Sequence, residues 1–301
     1  MTKMFESPVL LLIMTGGLLG LYLPLGKVAS LAQVSPTLWA MIVSLGAVVI
    51  VGPVLLMQKK LCWPRLHMLR YVVISALISY VIPNLLLFAI MAYVGAGYMG
   101  LMYALTPVYT LGLAVLFKMK TPQKLGVLGI CFGLVGAMTV TVTRSSGVDA
   151  PSLMWIVAAL FVPISLACGN VYRTLDWPEG ASPDILAFWS HIASVGFFLL
   201  ILYGYEGGID LTALEAVPQA ATLQLIVGGL TFPVLFRLQQ KGGPVLLSQI
   251  GYIAAAIGLA LATLFLGESY SQATWAGAGI IAFGIFLSII SQVRGARAIK
   301  A

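Results

Sequence analysis

Charge is what this sequence has least of. Only 8% of its 301 residues are charged, and nine of them are Asp or Glu. A domain folded in water carries roughly 25% charged residues, so the composition excludes an ordinary soluble fold. Cysteine occurs three times and histidine twice. Cys131 and Cys168 fall in apolar runs and Cys62 in a basic loop, with no CxxC or metal-ligand spacing. They read as reduced packing residues, and no metal site or cofactor is expected. There is no HExxH and no acidic pair inside an apolar run. Ser190 and His191 are adjacent and so point apart on a helix. An intramembrane enzyme would need one of these constellations, so no catalytic residue is expected. The net charge of +7 is scattered through short links, without a basic domain or an aromatic platform, which argues against nucleic acid as a partner.

What fills the chain is apolar: 60% hydrophobic residues and a mean hydropathy of +1.04. Crossing ~30 Å of hydrocarbon takes roughly 20 helical residues. Apolar runs of about that length lie at 8–29, 38–57, 70–92, 95–117, 123–143, 151–173, 183–203, 218–237, 244–266 and 272–293. They predict an all-α integral membrane protein with ten transmembrane helices and no room for a separate soluble domain. The first run follows Lys3 and Glu6, contains Gly16, Gly17, Gly20 and Pro24, and lacks a small-residue cleavage site. It reads as a retained helix rather than a signal peptide.

Loop charge suggests an orientation. With the N-terminus in the cytoplasm and sides alternating, only Lys27 and Arg144 among the Lys and Arg residues fall outside. Lys3, Lys59, Lys60, Arg65, Arg70, Lys118, Lys120, Lys124, Arg173, Arg237, Lys241, Arg294, Arg297 and Lys300 fall inside. That follows the positive-inside rule and puts both termini in the cytoplasm. Five runs precede residue 149 and five follow it. The ends of the two halves share a pattern: a glycine turn, a long run, a very short polar link and a glycine-studded run. An odd number of spans per half inserts the halves in opposite senses, as in many secondary transporters. The expected organisation is one membrane domain made of two five-helix repeats, 1–148 and 149–301.

Residues 264–285, LFLGESYSQATWAGAGIIAFGI, and residues 101–117, LMYALTPVYTLGLAVLF, resemble the EamA-type members of the drug/metabolite transporter superfamily. The sequence departs from that family at FKMKTP (117–122), which lacks the family's Gly-Glu, and at Leu38, Trp39 and Ala40, where an arginine is often found. The resemblance implies ten helices around a central cavity, alternating access, and movement of a small organic metabolite, often outward across an inner membrane. Its partners would be that solute and membrane lipid; a homodimer is left open.

Polar groups inside a membrane need a partner, water or a task. Lys27 continues the stripe of Gly16, Gly20 and Pro24, and either meets an anionic substrate group or snorkels to the outer headgroups. Asn84 stands beside Pro83 with Tyr80 one turn earlier, placed for a cavity or for an interhelical hydrogen bond. Tyr98, Met102 and Tyr109 share a face, with Tyr103 and Pro107 beside it. The second half offers Asn170, Trp189, His191, Gln249 and Tyr252. Lys27, Tyr80, Asn84, Tyr98, Tyr103, Asn170, Trp189, His191, Gln249 and Tyr252 are therefore the candidate substrate-binding residues. Gly20, Pro24, Pro83 and Pro107 are candidate hinge or gating positions, because they weaken helix backbone. Arg173 and Arg237 read as topology anchors rather than ligands. No Asp or Glu lies in the middle of a run, so an embedded carboxylate cannot drive transport. His191 is then the proton-coupling candidate, with uncoupled transport as the alternative. Lys27 and Arg173 favour zwitterionic or anionic substrates. The chain reads as an exporter of an amino-acid-like or other zwitterionic or anionic metabolite; a facilitator or channel-like permease is the alternative.

Overall fold

The computed structural model describes residues 7–119, 124–144 and 151–300. Lys3, Glu6, Lys120 and the 148/149 repeat boundary lie outside the described residues, as do the side chains of Arg144, Arg294, Arg297 and Lys300. Among the described residues the regular structure is entirely helical, in the order α1 (Pro8–Leu31), α2 (Pro36–Met57), α3 (Leu66–Ala76), a π-helical turn (Leu77–Val81), α4 (Ile82–Val94), α5 (Ala96–Tyr103), α6 (Thr106–Leu116) and α7 (Lys124–Arg144). Then follow α8 (Leu153–Ala158), α9 (Phe161–Leu175), α10 (Pro183–Gly204), the short α11 (Thr212–Glu215), α12 (Pro218–Ser248), α13 (Ile250–Phe265) and α14 (Gln272–Lys300). Each expected apolar run falls on this helical structure.

Among the described residues, seven stretches are long and apolar enough to cross a bilayer: Pro8–Leu31, Pro36–Met57, Met68–Val94, Ala96–Leu116, Leu153–Leu175, Pro183–Gly204 and Pro218–Ser248. Lys124–Val140 and Ile250–Phe265 are shorter apolar helices. The runs expected as simple spans are interrupted at several places, and proline explains two of them. Pro83 has no N–H to give and its ring crowds the preceding turn, and the chain accommodates it with the π turn just before. The fourth run breaks at Ala104–Leu105, so that Pro107 enters the first turn of α6, where a missing N–H costs nothing. The eighth and ninth runs join through Gly243, whose φ of 66° only glycine adopts readily. Their helix then breaks at Gln249 before α13 begins.

Small residues let the helices approach closely. A Cβ added to Gly20 would lie 2.7 Å from Ile257 Cβ, so α1 lies directly on α13. At Gly46 a Cβ would overlap the Leu225 carbonyl, which seats α2 on α12. Van der Waals fit of this kind holds helices together where water supplies no driving force. Other neighbours are α6 with α9, α3 with α10, and α7 with α14.

The links fasten the two ends of the bundle. At one end, Glu206 accepts hydrogen bonds from Ser35 Oγ at 2.6 Å and from the Thr37 hydroxyl. Glu268 accepts from the backbone N–H groups of Ala96 at 2.8 Å and Gly97 at 2.9 Å, opposite the charge that a helix N-terminus carries. At the other end, Arg70 pairs with Asp176, Arg237 Nη2 lies 2.7 Å from Asp184 Oδ2, and Trp189 Nε1 donates to the Cys62 carbonyl at 2.9 Å. This second end carries Lys59, Lys60 and Arg65 as well, whereas Lys27 lies toward the first.

Candidate functional site: an interhelical cavity with a buried arginine

Inside the bundle, α1, the π turn, α4, α5, α6, α9, α12 and α13 line a narrow cavity of about 50 Å³. The interruptions described above put side chains into it. The π turn and Pro83 carry Ser79, Tyr80 and Asn84 to one wall. The break after α5 brings Tyr103 and Thr106 to another, against Gly251 at the start of α13. Tyr22, Leu19, Phe232, Leu235 and Leu166 complete an apolar and aromatic lining. The hydroxyls of Ser79 and Thr106 are buried there without a protein hydrogen-bond partner, so the wall holds polar groups that water or a solute could satisfy.

Asn170 and Arg173 supply the polar corner. They stand three residues apart on α9 and so share a face. Arg173 is only 3% exposed. Its Nη2 donates to Asn170 Oδ1 at 2.9 Å and its Nε to Gln239 Oε1 at 2.8 Å. Gln239 is held in turn, donating to the Asn170 carbonyl at 3.0 Å and to Thr174 Oγ1 at 2.8 Å. The guanidinium lies 5.4 Å from the centre of the Tyr80 ring, within cation–π range. No carboxylate pairs with it among the described residues: the ion pairs found there are Arg70–Asp176 and Arg237–Asp184. A buried cation held only by neutral groups is costly, and it leaves one corner of the cavity with an unneutralised positive charge.

Comparison with known proteins agrees with a membrane carrier. Residues 7–142 match the EamA-like transporter family. Over 94% of this chain and 92% of the relative, the sequence is 25% identical to the Escherichia coli (strain K12) protein named "Uncharacterized inner membrane transporter YedA". It is 23% identical to a Salmonella typhimurium protein named "Probable amino-acid metabolite efflux pump", over 64% of this chain and 67% of that one. These similarities support a place in the drug/metabolite transporter superfamily. This transporter is a multi-pass membrane protein and not an enzyme. A crystal structure with 16% identity superposes on it with a TM-score of 0.68, covering 94% of this chain and 96% of that one; it speaks for the fold alone.

Of the residues singled out from the transporter's sequence, Tyr80, Asn84, Tyr103 and Asn170 line the cavity. His191 is fully buried one layer behind, its ring centre 4.3 Å from Tyr80 and 3.8 Å from Phe232. Its Nδ1 is 3.1 Å from Ser44 Oγ. Gln249 is buried at the α12–α13 break. Tyr98 lies buried on α5, its hydroxyl 3.5 Å from the Ile156 carbonyl. Tyr252 faces a separate apolar groove with Leu101 and Trp275. Trp189 is at the bundle end, its ring 5.0 Å from that of Trp63. Lys27 is half-buried and lines none of these cavities. Gly20 and Pro24 belong to the α1 face and its packing, while Pro83 and Pro107 mark the two helix interruptions beside the cavity. Sequence reasoning missed Arg173, Tyr22, Thr106 and Phe232 as cavity groups, and Gln239 as the support of Arg173. The i, i+3 spacing of Asn170 and Arg173 was the available signal.

Proposed function

We propose that this protein is an alternating-access secondary transporter, working in the inner membrane, that exports a small organic metabolite bearing a carboxylate or similar anionic group. One observation carries the reading: Arg173 is buried in the cavity wall without a carboxylate partner among the described residues. Its planar guanidinium matches a carboxylate's two oxygens, and the solute's charge would neutralise it in place. Tyr22, Tyr80, Tyr103 and Phe232 suit an apolar or aromatic body, and Asn84, Ser79 and Thr106 can bond its polar edge.

Alternating access is supported by the pairing of the helices. If 1–148 and 149–301 are inverted repeats, exchanging them turns the α1–α13 contact into the α9–α6 contact and α2–α12 into α10–α3, while α7–α14 maps onto itself. All of these pairs are in contact. The match of residues 7–142 to the EamA-like family also has the size of one half. Export and an amino-acid-like substrate draw on the name of the Salmonella relative, and the inner membrane on that of the Escherichia coli relative. The basic end of the bundle, with Lys59, Lys60, Arg65 and Arg70, would face the cytoplasm.

The test is a thermal-shift titration of purified protein with carboxylates and their uncharged amides. Stabilisation by a carboxylate and not by its amide is the expected result. Equal shifts from both members of every pair would remove the anionic group from the proposal.

A further inference from the structure

A second cavity, of about 310 Å³, lies toward the end of the bundle that carries Lys27, Ser35 and Glu206. It is stacked on the central cavity along the same helices. On α1, Tyr22 lines the central cavity, and Gly26, Ala29 and Ser30 line the second. On α4 the series Asn84, Phe88, Ala92 passes from one to the other in steps of one turn, about 6 Å each. On the α8–α9 side, Trp155 lines the second cavity and Leu166 and Asn170 the first. Phe88 stands at the boundary. It is 3% exposed, and a Cβ built on Gly26 would lie 2.8 Å from two of its ring carbons. The ring therefore lies directly against a bare stretch of α1 backbone.

The second cavity has the walls of a binding site. Tyr93 and Trp155 stack with ring centres 3.9 Å apart and planes 3° from parallel. Trp39, 1% exposed, also lines this cavity, and its indole N–H is buried without a hydrogen-bond partner. That group can only donate, so what satisfies it must be an acceptor, such as a carboxylate or carbonyl oxygen.

We infer that this crevice is a second binding site on the transport path, taking an aromatic or apolar carboxylate by its flat face, and that Phe88 seated on Gly26 is the partition between it and the central site. The inference rests on the central cavity being the transport site. A solute leaving Arg173 along α1 and α4 meets Phe88 first. Swinging that ring away from Gly26 joins the two cavities, and returning it closes the central one.

The experiment uses full-length protein in which Cys62, Cys131 and Cys168 are replaced by Ser, with a single cysteine at Asn84 or Ala92. A membrane-impermeant anionic methanethiosulfonate is applied from each face of oriented vesicles. Ala92→Cys should label quickly from one face, and Asn84→Cys slowly from that face. Phe88→Ala should speed labelling of Asn84→Cys from that same face at least tenfold. Gly26→Ala, which displaces the ring without deleting it, should do so more mildly. With Arg173→Gln disabling the central site, 3-phenylpropanoate should still slow labelling of Ala92→Cys. Unchanged labelling of Asn84→Cys in both the Phe88 and Gly26 variants overturns the partition. Absence of protection at Ala92→Cys by 3-phenylpropanoate and by hexanoate overturns the second site. If labelling Asn84→Cys leaves solute exchange intact, the central-site reading itself fails, a result separate from either of these.

Discussion

At the scale of single residues, two positively charged groups that look alike in sequence part company. Arg173 and Lys27 each stand near the end of an apolar run. Arg173 is folded under Tyr80 and fixed by Asn170 and Gln239, whereas Lys27 is half-buried away from the cavity. A snorkelling lysine interacts with headgroups and water, so Lys27→Ala is expected to leave the exchange rate within about twofold of wild type in reconstituted vesicles; a tenfold loss would return it to the substrate path. His191 separates from the wall in the same way. Packed between Tyr80 and Phe232 and hydrogen-bonded to Ser44, it supports the cavity from behind. His191→Gln should lower stability by about 1–3 kcal/mol and keep whatever dependence on a pH gradient the wild type shows. Loss of that dependence in a stably folded variant would make His191 the proton carrier.

The helices were legible in the sequence, and what bends them was legible only in part. Runs of about twenty apolar residues can hardly be anything but membrane helices, and Pro83 and Pro107 announced where two would be disturbed. The break at Gln249 has no such marker, and the turn at Gly243 lies within a stretch that continues as helix on both sides. Trp189 and His191 show a different limit. Two positions apart on α10, they point roughly 200° apart around the helix, so both could not face one cavity; the sequence does not say which does. Arg173 escaped for a third reason. A basic residue at the expected cytoplasmic end of a run satisfies the positive-inside pattern whether it is buried or not, and only the surrounding fold reveals that no carboxylate among the described residues pairs with it.

The links are elements in their own right. Glu268 caps the N-terminus of α5 across the two halves of the chain, and Gly95, with φ of 89°, makes the turn that exposes those N–H groups. Glu268→Gln should cost about 0.5–2 kcal/mol, the range for losing a helix cap, read as a lower thermal midpoint with solute exchange retained. An unchanged midpoint would show that the cap contributes nothing. Inside the bundle, Gly46→Leu should be more damaging, because its side chain would have to displace the α12 backbone at Leu225; overpacking costs at least about 1–3 kcal/mol. Normal yield and stability of that variant would contradict the close α2–α12 approach.

At the scale of the whole molecule, the scarcity of charge noted at the outset becomes a statement about mechanism. With no acid against the cavity among the described residues, the one fixed charge there is positive, and the solute is expected to complete the site. The central claim is therefore that Arg173 binds the anionic group of a solute carried by alternating access. The most direct measurement is exchange of labelled carboxylate in proteoliposomes, with and without the same solute on the far side, for wild type, Arg173→Lys and Arg173→Gln. Wild type should saturate and be accelerated by solute on the far side, Arg173→Lys should retain part of the flux, and Arg173→Gln should lose at least tenfold while remaining folded. Flux through Arg173→Gln equal to wild type, or flux that never saturates, would contradict the account.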